Sequence, residues 1–191
     1  MNSTFSIADD FTIAGGPWTI DNIIMQGYST GAPAGNPGWT LIELNIWDDA
    51  PGTGSVIHTV SAADVSFSNI YRVTDVGTLQ DTQLAINYLN FNVGGLELGD
   101  GTYWVDLHTE GGTSGWANYV MDPNPNNPDD PITRNGNGMQ ENAGVWGPTD
   151  VGKGFSVEFP FVVQGTAVPE PGTFIALGIG LAGLAVARRR K

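Results

Sequence analysis

The stretch Thr40-Leu41-Ile42-Glu43-Leu44-Asn45-Ile46-Trp47 alternates apolar and polar residues with period two. A period of two fits a strand with one face buried and cannot keep an apolar stripe on one side of a helix. It points Ile42, Leu44 and Ile46 inward and Glu43 and Asn45 outward. Similar short runs recur along the chain: Asp9–Ile13, Trp18–Tyr28, Ser55–Val60, Val65–Asp75, Gln83–Val93, Gly101–Thr109, Trp116–Met121 and Phe155–Val163. Gly- and Pro-rich joints separate them, among them Ala14-Gly15-Gly16-Pro17, Ser29 to Gly38, Gly94-Gly95 and Gly99-Asp100-Gly101. Asp100-Gly101 suits a tight turn. Pro160 argues against a central position for the last run, because proline cannot donate to a ladder. Before Gly172 no apolar period of 3.6 is sustained over ten residues. Eight to ten evenly spaced strands predict an all-β antiparallel β-sandwich, jelly-roll-like or Ig-like, over residues 1–163.

Composition agrees with many turns and few helices: 27 glycines, 12 prolines and only 14% charged residues. There is no cysteine, so disulfides, thiolate metal sites and cysteine nucleophiles are excluded. The net charge is -13. The last residues hold four cations and one acid, so the body carries roughly -16, with Arg72, Arg134 and Lys153 as its cations. Such a body repels nucleic-acid phosphates and has no basic stripe to hold them.

The other constraint lies at the C-terminal end. Val168-Pro169-Glu170-Pro171 is followed by Gly172–Ala187, sixteen residues without a charge, and then by Arg188-Arg189-Arg190-Lys191. As a helix the apolar run would span ~24 Å, short of a hydrocarbon core of ~30 Å. Snorkelling arginines extend that reach and favour the cytoplasmic side, which places the body on the opposite side. Four consecutive cations speak against a buried C-terminal helix. Motif, apolar run and basic cluster, in this order, resemble the PEP-CTERM sorting signal of Gram-negative bacterial surface proteins. The resemblance covers residues 168–191: motif 168–171, hydrophobic helix 172–187 and basic tail 188–191. Residues 164–167 read as a linker. The resemblance implies processing by an exosortase, a membrane anchor through the helix before processing, and a cell-surface or extracellular destination. It also implies a setting of exopolysaccharide and biofilm. Such export requires a signal peptide. Met1–Phe5 has neither a basic nor an apolar region of that kind, so an upstream start is expected.

Candidate chemistry is sparse. Asp122, Asn124 and Asn126, with Asp129 and Asp130, place alternating oxygen side chains that could hold calcium. Asn127 and Thr133 stand where a calcium loop of the EF-hand type has Gly and Glu, and prolines stiffen the segment, so a solvated loop is the alternative. Asp9-Asp10 and Asp48-Asp49 are paired carboxylates that read either as calcium ligands or as turn residues. His58 and His108 lie in strands without metal-site spacing. No nucleophile elbow or phosphate loop is present, and no catalytic residue is assigned. Of six tryptophans, Trp18, Trp47 and Trp104 are expected in the core. Trp39, Trp116 and Trp146, in Gly-rich surroundings, are the candidates for ligand binding. The expected function is a non-catalytic exported surface protein, structural or adhesive in the envelope or exopolysaccharide matrix. The alternative is a carbohydrate-binding module, with or without calcium.

Overall fold

The computed structural model describes residues 4–29, 32–61, 63–71, 85–111, 115–117, 120–122, 136–149 and 156–169. The described chain is all-β. In order the strands are β1 (Thr4–Ile13), β2 (Trp18–Ser29), β3 (Trp39–Trp47), β4 (Val56–Ser61), β5 (Asp64–Tyr71), β6 (Ala85–Leu98) and β7 (Gly101–Gly111). They continue as β8 (Gly115–Ala117), β9 (Val120–Asp122), β10 (Met139–Asn142), β11 (Val145–Pro148), β12 (Ser156–Glu158) and β13 (Phe161–Ala167). One sheet has the order β11-β10-β1-β7-β3-β4. The second runs β13-β2-β6-β5, with β8 also paired to β2, and β12 pairs with β9. Every pairing is antiparallel.

The alternation explains the layering. Leu44 and Ile46 on β3 are buried together with Ile7 and Ile13 on β1 and Val105 and Leu107 on β7. From the second sheet, Ile20, Ile23 and Met25 on β2 and Leu89, Phe91 and Val93 on β6 join the same cluster. One apolar core therefore lies between two sheets, as expected for a sandwich. Among the described residues no helix is long and apolar enough to cross a membrane. The expected helix over 172–187 lies outside the described residues.

Several boundaries differ from expectation. Gly94 and Gly95 are not a joint; they sit inside β6 with φ of 77° and 80°. Only glycine takes those angles at little cost, and the β2–β6 register shifts beside them, between Ile20 and Asn22. The run Phe155–Val163 is divided at Phe159-Pro160 into β12 and β13, for the reason its proline suggests. Residues 164–167 are the second half of β13, paired with β2 from Gln164↔Asn22 to Ala167↔Trp18. Val168 N–H then donates to Pro17 O at 2.8 Å, so hydrogen bonding continues into the first residue of the Val-Pro-Glu-Pro motif. The polar segment before Pro148 contains the hairpin β10–β11. Its turn residues Ala143 and Gly144 have φ of 52° and 83°, the double positive φ of a type I′ turn.

Candidate functional site: a tryptophan-walled polar face

The face of the six-stranded sheet turned away from the core follows from parity. On β7 the core takes Val105 and Leu107, which leaves Trp104, Asp106, His108 and Glu110 on the outer side. Register places Asp106 between Ala8 of β1 and Asn45 of β3, and His108 between Ser6 and Glu43. Trp104 stands between Asp10 and Trp47. Glu141 of β10 lies opposite Ser6.

Asp106 anchors this face and is only 2% exposed. Its Oδ2 accepts from Trp47 Nε1 at 2.8 Å and from Asn45 Nδ2 at 3.2 Å. Its Oδ1 has no hydrogen-bond partner. Burial pushes its carboxyl up to about 6, against the two donated hydrogen bonds and the nearby His108, which lower it; Glu141 raises it further. Asn45 Oδ1 accepts from Thr59 Oγ1 at 2.6 Å, and Glu43 Oε2 accepts from Ser61 Oγ at 2.9 Å. Ser6 Oγ and His108 Nδ1 are 2.7 Å apart. This pairs a hydroxyl with a base, but Ser6 is 1% exposed and lies mid-strand between β10 and β7.

Trp47 and Trp146 meet edge to face, with ring centroids 6.3 Å apart. Their strands β3 and β11 are four steps apart in sheet order, or ~19 Å on a flat sheet at ~4.8 Å per step. The contact requires the sheet and its β10–β11 hairpin to arch over the outer face. The turn after β3 lies against Trp146 as well, since a Cβ built on Gly52 would be 3.5 Å from Trp146 Cβ. Half-buried Trp47 and Trp146 thus touch on this side of the sheet, and Trp47 caps the buried Asp106 through its Nε1.

The tryptophans thus sort differently from expectation. Trp47 and Trp104 are absent from the inter-sheet core; Trp104 is buried, but on the outer side. Trp18 packs partly buried against the core, and so does Trp39. The Trp39 ring lies over Gly27, where an added Cβ would be 2.8 Å from its Cη2. Trp116 stands in β8 opposite Tyr28 in the register. Of the three ligand-binding candidates, Trp146 is the one the fold brings against Trp47. The outward group of Asp106, His108 and Asn45 is not singled out by the sequence reading, although Asp106 and His108 share the parity of Trp104 on β7.

A second acidic group forms where β1 meets β12. Asp9 points into the interior at 2% exposure; its Oδ2 accepts from Phe159 N at 2.6 Å and its Oδ1 from Asp10 N at 2.9 Å. Burial, with Glu158 and Asp10 nearby, pushes its carboxyl up to about 7 despite those two hydrogen bonds. Asn137 Nδ2 donates to Asp10 Oδ1 at 2.8 Å, and Gly136 N donates to Glu158 Oε1. Among the described residues no three His, Asp or Glu side chains are arranged to hold a metal. Asp48 and Asp49 serve their turn: Asp48 Oδ1 accepts from Ser55 N at 2.6 Å and Asp49 Oδ1 from Ala50 N at 2.7 Å. Asp122 pairs through its backbone in β9, while Asn124, Asn126, Asp129 and Asp130 lie outside the described residues.

Beside the exit of β13, an open cavity of about 330 Å³ is lined by Phe11, Thr12, Ile13, Ala14, Trp18, Ile20 and Val163. Most of its lining is apolar.

The body is a two-sheet antiparallel β domain with a polar, aromatic-walled outer face and its last strand running into Val168. The family model of the PEP-CTERM protein-sorting motif matches residues 167–191. The chain therefore carries a PEP-CTERM sorting signal, which marks an exported protein processed by an exosortase. No curated protein and no solved structure matches the chain. Val168 and Pro169 are the described part of the motif; Glu170, Pro171 and the basic cluster Arg188, Arg189, Arg190 and Lys191 lie outside the described residues.

Proposed function

We propose that this protein is a non-catalytic component of the cell surface, held by its tail before exosortase processing and structural or adhesive afterwards. The supporting observation is the sorting motif at residues 167–191. The body's acidity and its all-β build suit a solvated extracellular domain. In this reading Gly172–Ala187 is the membrane segment, and the following cations stay cytoplasmic. The test is expression of the full chain in a host with an exosortase, followed by fractionation. Replacing Pro169, Glu170 and Pro171 by alanine should leave unprocessed chain in the membrane fraction. Identical processing of the triple variant and the wild type would remove the reading.

A second reading, an extracellular carbohydrate-binding module, is favoured by the half-buried Trp47–Trp146 pair outside the core. Of the two sandwich types, the strand order supports the Ig-like one. β2-β6-β5 stacked on β7-β3-β4 matches the B-E-D and F-C-C′ order of variable-type Ig sheets.

A further inference from the structure

We propose that the open cavity at the exit of β13 is a docking site for the exosortase, taking an aromatic or aliphatic side chain of that enzyme while it holds the Val-Pro-Glu-Pro motif. The inference rests on the sorting reading above and adds to it a part of the folded body that the enzyme reads.

The motif leaves the body without a spacer. β13 stays paired with β2 up to Ala167↔Trp18, and Val168 N–H donates to Pro17 O at 2.8 Å. Pro171 is only three residues further on, at most ~11 Å along a fully extended chain. That is about the width of one helix with its side chains. No element of an enzyme can close around Pro169, Glu170 and Pro171 without lying against this end of the body. The contact is forced, and its place is set by where β13 leaves the sheet.

At that place the body offers a hollow. The cavity of about 330 Å³ takes its walls from Ile13, Ala14, Trp18, Ile20 and Val163 among others. Trp18 is the register partner of Ala167, so the cavity wall and the motif are neighbours. The volume lies at the lower end for binding pockets and suits one or two side chains. Its chemistry selects an apolar guest. The body is strongly acidic, yet no side chain lining the cavity is charged. The Thr12 hydroxyl is already paired with that of Thr102 at 3.1 Å, and Asp100 of the β6–β7 turn accepts from Gly16 N at 2.8 Å. Such a hollow gains by burying apolar surface and holds no charge for an ionic ligand. The motif directly precedes the apolar run Gly172–Ala187, so its enzyme works at the membrane surface. There membrane proteins concentrate Trp and Tyr side chains.

The experiment follows the rate at which the full chain is processed in an exosortase-bearing host, by pulse-chase. Ala14 lines the cavity and is exposed, so it stands at the mouth. Ala14→Phe fills that mouth and Ala14→Asp charges it; both should leave the unfolding midpoint of the purified chain within a few degrees. Each should slow processing by about fivefold or more, the fold-change of one hot-spot side chain at an interface. A third variant inserts about eight Gly and Ser residues between Ala167 and Val168, a reach of ~15 Å that parts the motif from the cavity. It should be slowed as well. Wild-type rates in the two Ala14 variants, or an unchanged or faster rate with the spacer, overturn the docking site, because the enzyme then reads the linear tail alone. Faster processing of Ala14→Phe overturns it too and points to the chain's own apolar run as the occupant. In each of these cases the sorting reading stands while the triple-alanine variant of Pro169, Glu170 and Pro171 remains unprocessed. Processing of that variant at the wild-type rate removes the sorting reading and the docking site with it.

Discussion

Raising the pH from 5 to 8 should lower the unfolding midpoint by roughly 10 °C, and Asp9 should carry the largest single share. Its carboxyl stands at about 7 in the fold against an ordinary 3.8. A raised carboxyl means that the folded chain holds the proton more tightly than the unfolded one. Its stabilising contribution is therefore complete below about pH 4, is lost as pH rises towards 7, and is constant above that. Asp106, at about 6, acts with the same sign over a narrower window. At ~1.4 kcal/mol per tenfold change in proton binding, Asp9 alone contributes on the order of 3 kcal/mol. A chain of this size shifts by about 2–4 °C per kcal/mol. The general repulsion of an acidic body has the same direction, so the specific test is Asp9→Asn. It keeps one acceptor for Phe159 N or Asp10 N and removes the titration. Its midpoint should vary with pH distinctly less than that of the wild type. Equal slopes would show that Asp9 is not the group responsible.

The second large effect is expected at Gly165. A Cβ there would lie 2.2 Å from Thr19 O and 3.1 Å from the Ile20 Cα, both backbone atoms of β2. The register of β13 against β2 shifts at the same point, between Gln164 and Gly165. Glycine is needed for close approach of two backbones at a bulge, not for an unusual φ. Gly165→Val should cost about 3 kcal/mol, the upper end of ordinary overpacking, because rigid backbone must move. Hydrogen exchange of the β13 amides should rise together with the drop in midpoint. Gly99→Ala is the control: nothing lies within 4 Å of its added Cβ, and the change should be small. A Gly165→Val chain as stable as wild type would show that β13 is not held as closely as the geometry requires.

Much of the architecture was legible because period-two patterning survives one-sided burial. Leu44, Ile46, Val105 and Leu107 point where alternation sends them. The failures have particular causes. Trp47 shares parity with Glu43 and Asn45, so the pattern already placed it outward; its size suggested the core. It is half-buried outside because a second layer, the β10–β11 hairpin, arches over it. That hairpin was hidden because its turn uses Ala143-Gly144 where Asn-Gly or Asp-Gly is the usual signal. Asp9 looked like a turn residue. It sits mid-strand and inward because two backbone N–H groups, from Phe159 and Asp10, meet it there. The Phe159 pairing cannot be read from local sequence, since that partner is 150 positions away. The meeting of Asp106 with Asn45 and Trp47 is likewise a product of long-range register. The sorting motif needed no fold at all, being a linear signal.

The unbroken passage from β13 into Val168 also has a mechanical meaning. There is no slack between the folded body and the motif. When the tail is held and the body is pulled, tension enters at the Val168–Pro17 hydrogen bond and then at the Ala167–Trp18 pair. An edge strand loaded from its end can peel pair by pair, at a force far below that needed to shear all its bonds at once. The bulge at Gln164/Gly165 is a natural place for such a tear to pause. The tether would then behave as a fuse, lengthening by a few residues before the core of the sandwich bears any load.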